Sequence, residues 1–84
     1  MIQQTSLLAY QGLQKALGER QALVLSLFRT HLRLYDQQIA KLLGWPINST
    51  TPRRNELEHL GLIRRCGTTI SEFTGSTVGV YELV

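Results

Sequence analysis

Apolar residues along this chain recur first with a helical period and then, beyond Gly61, with the alternation of strands. From Thr5 to about Leu17 they fall at Leu7, Tyr10, Leu13 and Leu17, with Thr5 or Ser6 placed to cap the start and Gly18 to end the helix. Gly12 costs that helix roughly 1 kcal/mol relative to alanine, so packing has to hold it. A second helix is expected from Glu19 to about His31, where Ala22, Leu23, Leu25, Leu27 and Phe28 line a stripe that Val24 widens. So wide an apolar face marks the central helix of a domain.

Two shorter helices follow. Asp36 is read as the cap of a helix over Gln37–Leu43 that buries Ile39, Ala40 and Leu43. Gly44 can supply a left-handed last residue, and Trp45-Pro46 forbids continuation. The next helix is expected to start between Ser49 and Pro52, because proline fits the first turn, and to run to His59 or Leu60 before Gly61. Leu62–Arg65 and Thr77–Leu83 then alternate and carry β-branched or aromatic residues, which predicts a hairpin with Thr68–Ser76 at or near its tip. Leu32-Arg33-Leu34 is a candidate third strand. Helices followed by a C-terminal hairpin predict an α+β fold of the winged helix-turn-helix type. It would be one domain over 1–84: an N-terminal extension helix at 1–18, a helical core at 19–61 with the helix-turn-helix at 36–61, and a wing hairpin at 62–84.

Length agrees with a single domain. A chain of 84 residues buries only ~60–65% of its unfolded surface, so its core is thin and association would help it. Its hydrophobic content of 43% is too high for disorder. Net charge is +3, and seven of the nine cations are arginine: Arg20, Arg29, Arg33, Arg53, Arg54, Arg64 and Arg65. Arginine's planar fork suits phosphates and guanine edges, so this bias points toward nucleic acid. A single cysteine, Cys66, leaves no partner for an internal disulfide and no multi-cysteine zinc site. Two histidines, no carboxylate pair at a defined spacing and no glycine-rich phosphate loop argue against an enzyme, and no cofactor or small-molecule substrate is expected. The N-terminal MIQQTSLLAYQGLQ has no signal-peptide pattern, and no run approaches the ~18 apolar residues of a membrane span. The expected location is the cytoplasm of a bacterial cell.

Certain segments are distinctive: Ser6 with Ala9-Tyr10, LGERQ at 17–21, IAKLLGWPIN at 39–48, TPRRNEL at 51–57, GLI at 61–63 and the Thr74-Gly75 pair. In these the chain resembles the small winged-helix proteins encoded by bacteriophages and prophages, over nearly its whole length. The resemblance implies a DNA-binding protein, most simply a phage or prophage transcriptional regulator. The family tends to carry a basic wing, whereas CGTTISEFTGS here contains no cation and includes Glu72.

The helix expected over 49–60 is the candidate reader of double-stranded DNA. At about 100° per residue, Thr50, Leu57 and Gly61 point toward the other helices, while Ser49, Pro52, Asn55, Glu56 and His59 face away. Asn55 is a candidate for a bidentate adenine contact, Arg53 for a guanine or phosphate contact, and His59 for a further one. Ser49, Thr50 and Thr51 would offer hydroxyls and free N–H groups to a phosphate at the helix's positive end, and Arg65 would reach DNA from the hairpin. Arg54 lies close to the buried face and is read as structural, paired with Asp36 or Glu58, while Glu56 and Glu58 are expected to pair with Arg53, Arg54 or a cap. Trp45 is read as a plug between the two helices of the motif. The helix at 5–17, with Leu7, Leu8, Tyr10, Leu13 and Leu17, is the candidate surface for a homodimer. The alternative function is a winged helix that binds another protein, in a phage replication, packaging or host-takeover complex.

Overall fold

The computed structural model describes residues 17–84. The N-terminal helix expected from Thr5, and with it the proposed dimer surface, lies outside the described residues apart from Leu17. Three helices, α1 (Glu19–Thr30), α2 (Asp36–Leu43) and α3 (Ile47–His59), precede an antiparallel hairpin of β1 (Ile63–Ile70) and β2 (Thr77–Leu83). This is an α+β arrangement whose core joins Val24, Leu25 and Phe28 of α1 to Ile39 of α2, Leu57 of α3, Ile63 and Tyr81 of the hairpin, and Leu34. The stripe on α1 is narrower than its composition suggests, because Leu23 is 44% exposed. Among the described residues no helix is long and apolar enough to cross a membrane.

Both helices of the central pair end as their glycines dictate. Gly44 at φ 69° lets the Trp45 N–H return to the Ala40 carbonyl (2.9 Å), and Gly61 at φ 78° lets the Leu62 N–H return to Leu57 (3.1 Å). Their starts differ from expectation. Tyr35, not Asp36, is the N-cap of α2, and its N–H is held by Gln38 Oε1 at 3.1 Å. Asp36 is thereby released into the first turn, where its carboxylate faces α3. Helix α3 begins at Ile47 behind Pro46, two residues before the earliest start expected. Pro52 therefore lies in the second turn rather than the first. Its missing N–H leaves the Asn48 carbonyl without a helical partner, and both residues are exposed, so water can serve that carbonyl.

The hairpin is longer than its alternation implied. β1 continues through Cys66-Gly67-Thr68-Thr69 to Ile70, with a bulge between Arg65 and Gly67, and pairs in register from Ile63 with Leu83 to Ile70 with Thr77. The candidate strand at Leu32–Leu34 reduces to one bridge, Leu34 with Tyr81, closed by N–H···O bonds of 3.0 and 2.8 Å.

The tip is tied down rather than projecting. Ser71 is 1% exposed, its Oγ accepts the N–H groups of Phe73 and Thr74 (3.1 and 3.3 Å), and the Glu72 N–H donates to Tyr35 Oη (3.1 Å). The Phe73 ring tilts against Tyr35 with centroids 6.4 Å apart. Tyr35→Phe leaves that N–H without its acceptor and is expected to cost about 1 kcal/mol, a fall in Tm of about 4–8 °C for a domain this size. Faster amide exchange at Glu72 should accompany it. An unchanged Tm with unchanged exchange would show that the tip does not depend on this bond.

Candidate nucleic-acid interface

Helix α3 has two sharply different sides. Asn48, Pro52, Asn55 and His59 are exposed and follow one another at i, i+4, i+7 and i+11, a stripe roughly 60° wide. On the opposite side Thr50 and Leu57 are completely buried and Arg54 is 7% exposed. The outward stripe carries amides, an imidazole and a proline, and no carboxylate, lysine or arginine.

Arg54 is the anchor between the two sides. Its Nε donates to Asp36 Oδ1 (2.8 Å) and Nη2 to Asp36 Oδ2 (3.1 Å), while Nη1 donates to Glu58 Oε1 (2.8 Å) and Asn55 Oδ1 (2.9 Å). Its guanidinium carbon lies 4.1 Å from the centroid of the Tyr81 ring. Burial alone would weaken the charge. The hydrogen bond and charge of Asp36, with smaller electrostatic contributions from Tyr81 and Glu58, outweigh it and raise the guanidinium's pKa. The pairing of Arg54 with both Asp36 and Glu58 is as the helical geometry predicted.

Other expected contacts are already occupied. Thr50 is corrected outright: it is fully buried and its hydroxyl donates to the Pro46 carbonyl at 3.1 Å, so it cannot meet a phosphate. The hydroxyl of Thr51 donates to Asp36 Oδ2 at 2.9 Å. Because α3 starts at Ile47, its free positive end lies at Ile47 and Asn48 rather than at Ser49–Thr51, and the Ser49 N–H already bonds the Pro46 carbonyl (3.1 Å). Ser49 itself is half-buried. Arg53 is gripped in parallel by Glu56, Nε to Oε1 and Nη2 to Oε2, both at 2.8 Å. Asn55 and His59 are exposed as expected, but one lone pair of the Asn55 oxygen is engaged by Arg54. Asn48 completes the outward stripe. Sequence reasoning missed it because α3 was expected to begin after it.

Trp45 is half-buried against the core, and Arg20 lies 5.8 Å from its ring, in keeping with a plug at the turn. Arg65 is exposed on the hairpin. Its Nε lies only 3.0 Å from where a side chain at Gly79 would begin, and the Tyr81 hydroxyl lies 3.2 Å from the same point. A side chain at position 79 would press on Arg65 where it crosses the strand, and Arg65 or Tyr81 would have to give way. Arg65 thus sits beside the aromatic ring that carries Arg54, while Arg33 and Arg64 share Glu82 at 3.9 and 3.0 Å. A cleft of ≈ 200 Å³ between these elements is lined by Asp36, Ile47, Thr51, Arg54, Gly79 and Tyr81, among others. No group of His, Cys, Asp or Glu among the described residues could hold a metal ion.

The carboxyl of Glu56 is held below the ordinary glutamate range by its hydrogen bond to Arg53 and then by that from Gln21, against a smaller effect of burial. A depressed carboxyl pKa means that the pair contributes above the ordinary value of about 4.3 and is lost as pH falls through the lowered one. At neutral pH Glu56 is therefore ionised and stays paired with Arg53. Should α3 meet duplex DNA, Glu56→Gln would release Arg53, tighten binding and steepen the log–log salt dependence by about 0.9, one more phosphate neutralised. An unchanged slope in anisotropy titrations would show that Arg53 does not face the phosphates even when free.

Neither protein-family models nor curated proteins give a match to this chain.

Proposed function

We propose that the protein is a winged-helix DNA-binding protein, a regulator of the phage or prophage type, that inserts α3 into the major groove. One observation carries this reading: α3 presents an exposed hydrogen-bonding stripe, Asn48, Asn55 and His59, while its opposite face is locked by Leu57, Thr50 and Arg54. A helix fixed on one side and lined with amides on the other suits base edges, which are read by directional donors and acceptors rather than by net charge. Phosphate contacts then fall to Arg65 of the hairpin and to the free N–H groups of Ile47 and Asn48.

The test is duplex binding followed by fluorescence anisotropy near 50 mM salt, with fragments selected from random DNA. Binding at micromolar protein or tighter is expected, with a shallow salt slope because Arg33, Arg53, Arg54 and Arg64 are held in ion pairs. Asn55→Ala with His59→Ala should lower affinity for the selected site by about 2–6 kcal/mol in sum, with a fall in Tm no larger than loss of the one bond that Asn55 accepts from Arg54 explains. Binding that survives this double substitution would remove α3 from the interface.

A second reading is favoured by a separate observation. Ile47 (44%) and Phe73 (44%) are exposed beside Trp45, and a cleft of ≈ 480 Å³ opens among Ala40, Lys41, Trp45, Ile47 and Phe73. Together with the arginines held in ion pairs, this suits a protein-interaction module. Absence of any duplex binding would favour it.

A further inference from the structure

We propose that Arg54 holds the Asn55 amide as a hydrogen-bond donor toward DNA, so that Asn55 selects guanine rather than the adenine its side chain would ordinarily suit. This rests on the groove-reading role proposed for α3. A guanidinium has donors only, so the atom of Asn55 that lies 2.9 Å from Arg54 Nη1 has to be the amide oxygen. The other N–H of Nη1 is spent on Glu58 Oε1, and Nε and Nη2 both grip Asp36. Arg54 is 7% exposed and stacked at 4.1 Å on Tyr81, so it cannot swing away to release its neighbour. Asn55 Nδ2 is therefore the atom turned to the exposed side, with two N–H groups and no partner among the described residues.

A bidentate contact to adenine needs the amide oxygen to accept from N6 while Nδ2 donates to N7. Here that oxygen faces inward and already accepts a charge-assisted bond, which draws off its accepting power. Guanine presents N7 and O6 side by side, two acceptors for two donors. Adenine and thymine each offer this donor a single acceptor, and the cytosine amino group opposes it. Arg53, which would ordinarily read guanine, is held by Glu56, so the donor role at this face passes to Asn55.

The experiment takes a duplex selected by the wild-type protein and replaces each guanine in turn by 7-deazaguanine, which lacks N7. One guanine is expected whose replacement weakens wild-type binding about tenfold but leaves Asn55→Ala unaffected. Asn55→Asp keeps an oxygen on Arg54, so its melting curve should match wild type. It has no donor, and its carboxylate would face guanine acceptors, so it should lose more affinity than Asn55→Ala, on the order of a hundredfold. Arg54→Lys keeps a cation beside Asp36 but cannot also hold Asn55, and should raise acceptance of adenine at that one position without a uniform loss elsewhere. If Arg54→Lys does not fold, the two Asn55 variants decide. Selection of adenine at the Asn55-dependent position, or indifference to every 7-deazaguanine while Asn55→Ala still weakens binding, overturns the donor assignment and leaves α3 as the reader. Failure of wild-type protein to bind any duplex at micromolar concentration overturns the DNA reading itself, and this inference with it.

Discussion

Arg54→Ala is expected to destabilise the protein by about 3–5 kcal/mol, because it removes one partner of a buried ion pair and leaves the others in place. Asp36, whose side chain is 18% exposed, would keep only the Thr51 hydroxyl, at 2.9 Å, of the partners it now has. Glu58 and Asn55 lose their bonds to Nη1, and Tyr81 loses the cation stacked on its ring. For a domain of this size such a loss corresponds to a fall in Tm of about 15 °C or more, read by thermal melting. An unchanged Tm combined with lost duplex binding would make Arg54 a recognition residue instead.

The same pair need not be worth that much to the fold. A buried pair recovers its desolvation cost only through its geometry, so replacing both partners with neutral groups of similar size often costs little. Asp36→Asn with Arg54→Met should therefore be more stable than Arg54→Ala, with a coupling energy of about 0.5–3 kcal/mol in a double-mutant cycle. What the double substitution would still lose is the hold on Asn55.

How much of this could be read from the sequence follows from the kind of signal each feature leaves. The order of elements was legible because Gly44 and Gly61 end helices by backbone necessity and because the apolar period changes after Gly61. The inward position of Arg54 was legible too, since spacing from Leu57 puts it near the buried face, and Asp36 and Glu58 were then natural partners. The start of α3 was not. Pro52 invites a helix beginning near it, and nothing local in Pro46-Ile47-Asn48 announces a cap. That two-residue error carried Thr50 and Thr51 from the helix end into its packed first turns and hid Asn48. The ion pair of Arg53 with Glu56 has a helical spacing visible in the sequence, yet spacing alone does not decide between a pair and a free cation. Docking of the hairpin tip depends on a contact between Tyr35 and Glu72, 37 positions apart, which no periodicity encodes.

Leu57→Ala is the other substitution expected to have a large effect, and it separates presentation of α3 from recognition. Leu57 is fully buried and sits in the cluster with Val24, Leu25, Phe28, Ile39 and Ile63, where α3 meets α1, α2 and the hairpin. Truncating a buried leucine removes its transfer free energy and leaves a cavity, about 2–5 kcal/mol together. The upper half of that range is expected here, because neighbours from separate elements surround the site and close-packed elements cannot all relax into one gap. The net stability of small domains is only about 5–15 kcal/mol, so a fraction of the chains would then be unfolded near physiological temperature. Duplex binding should fall only in proportion to that fraction, and base preference should not change, since Asn48, Asn55 and His59 remain on the folded molecules. Denaturant unfolding and duplex titration on the same samples test this. A loss of base preference at a temperature where Leu57→Ala is fully folded would show that core packing, and not only the Arg54 network, sets the orientation of the outward face.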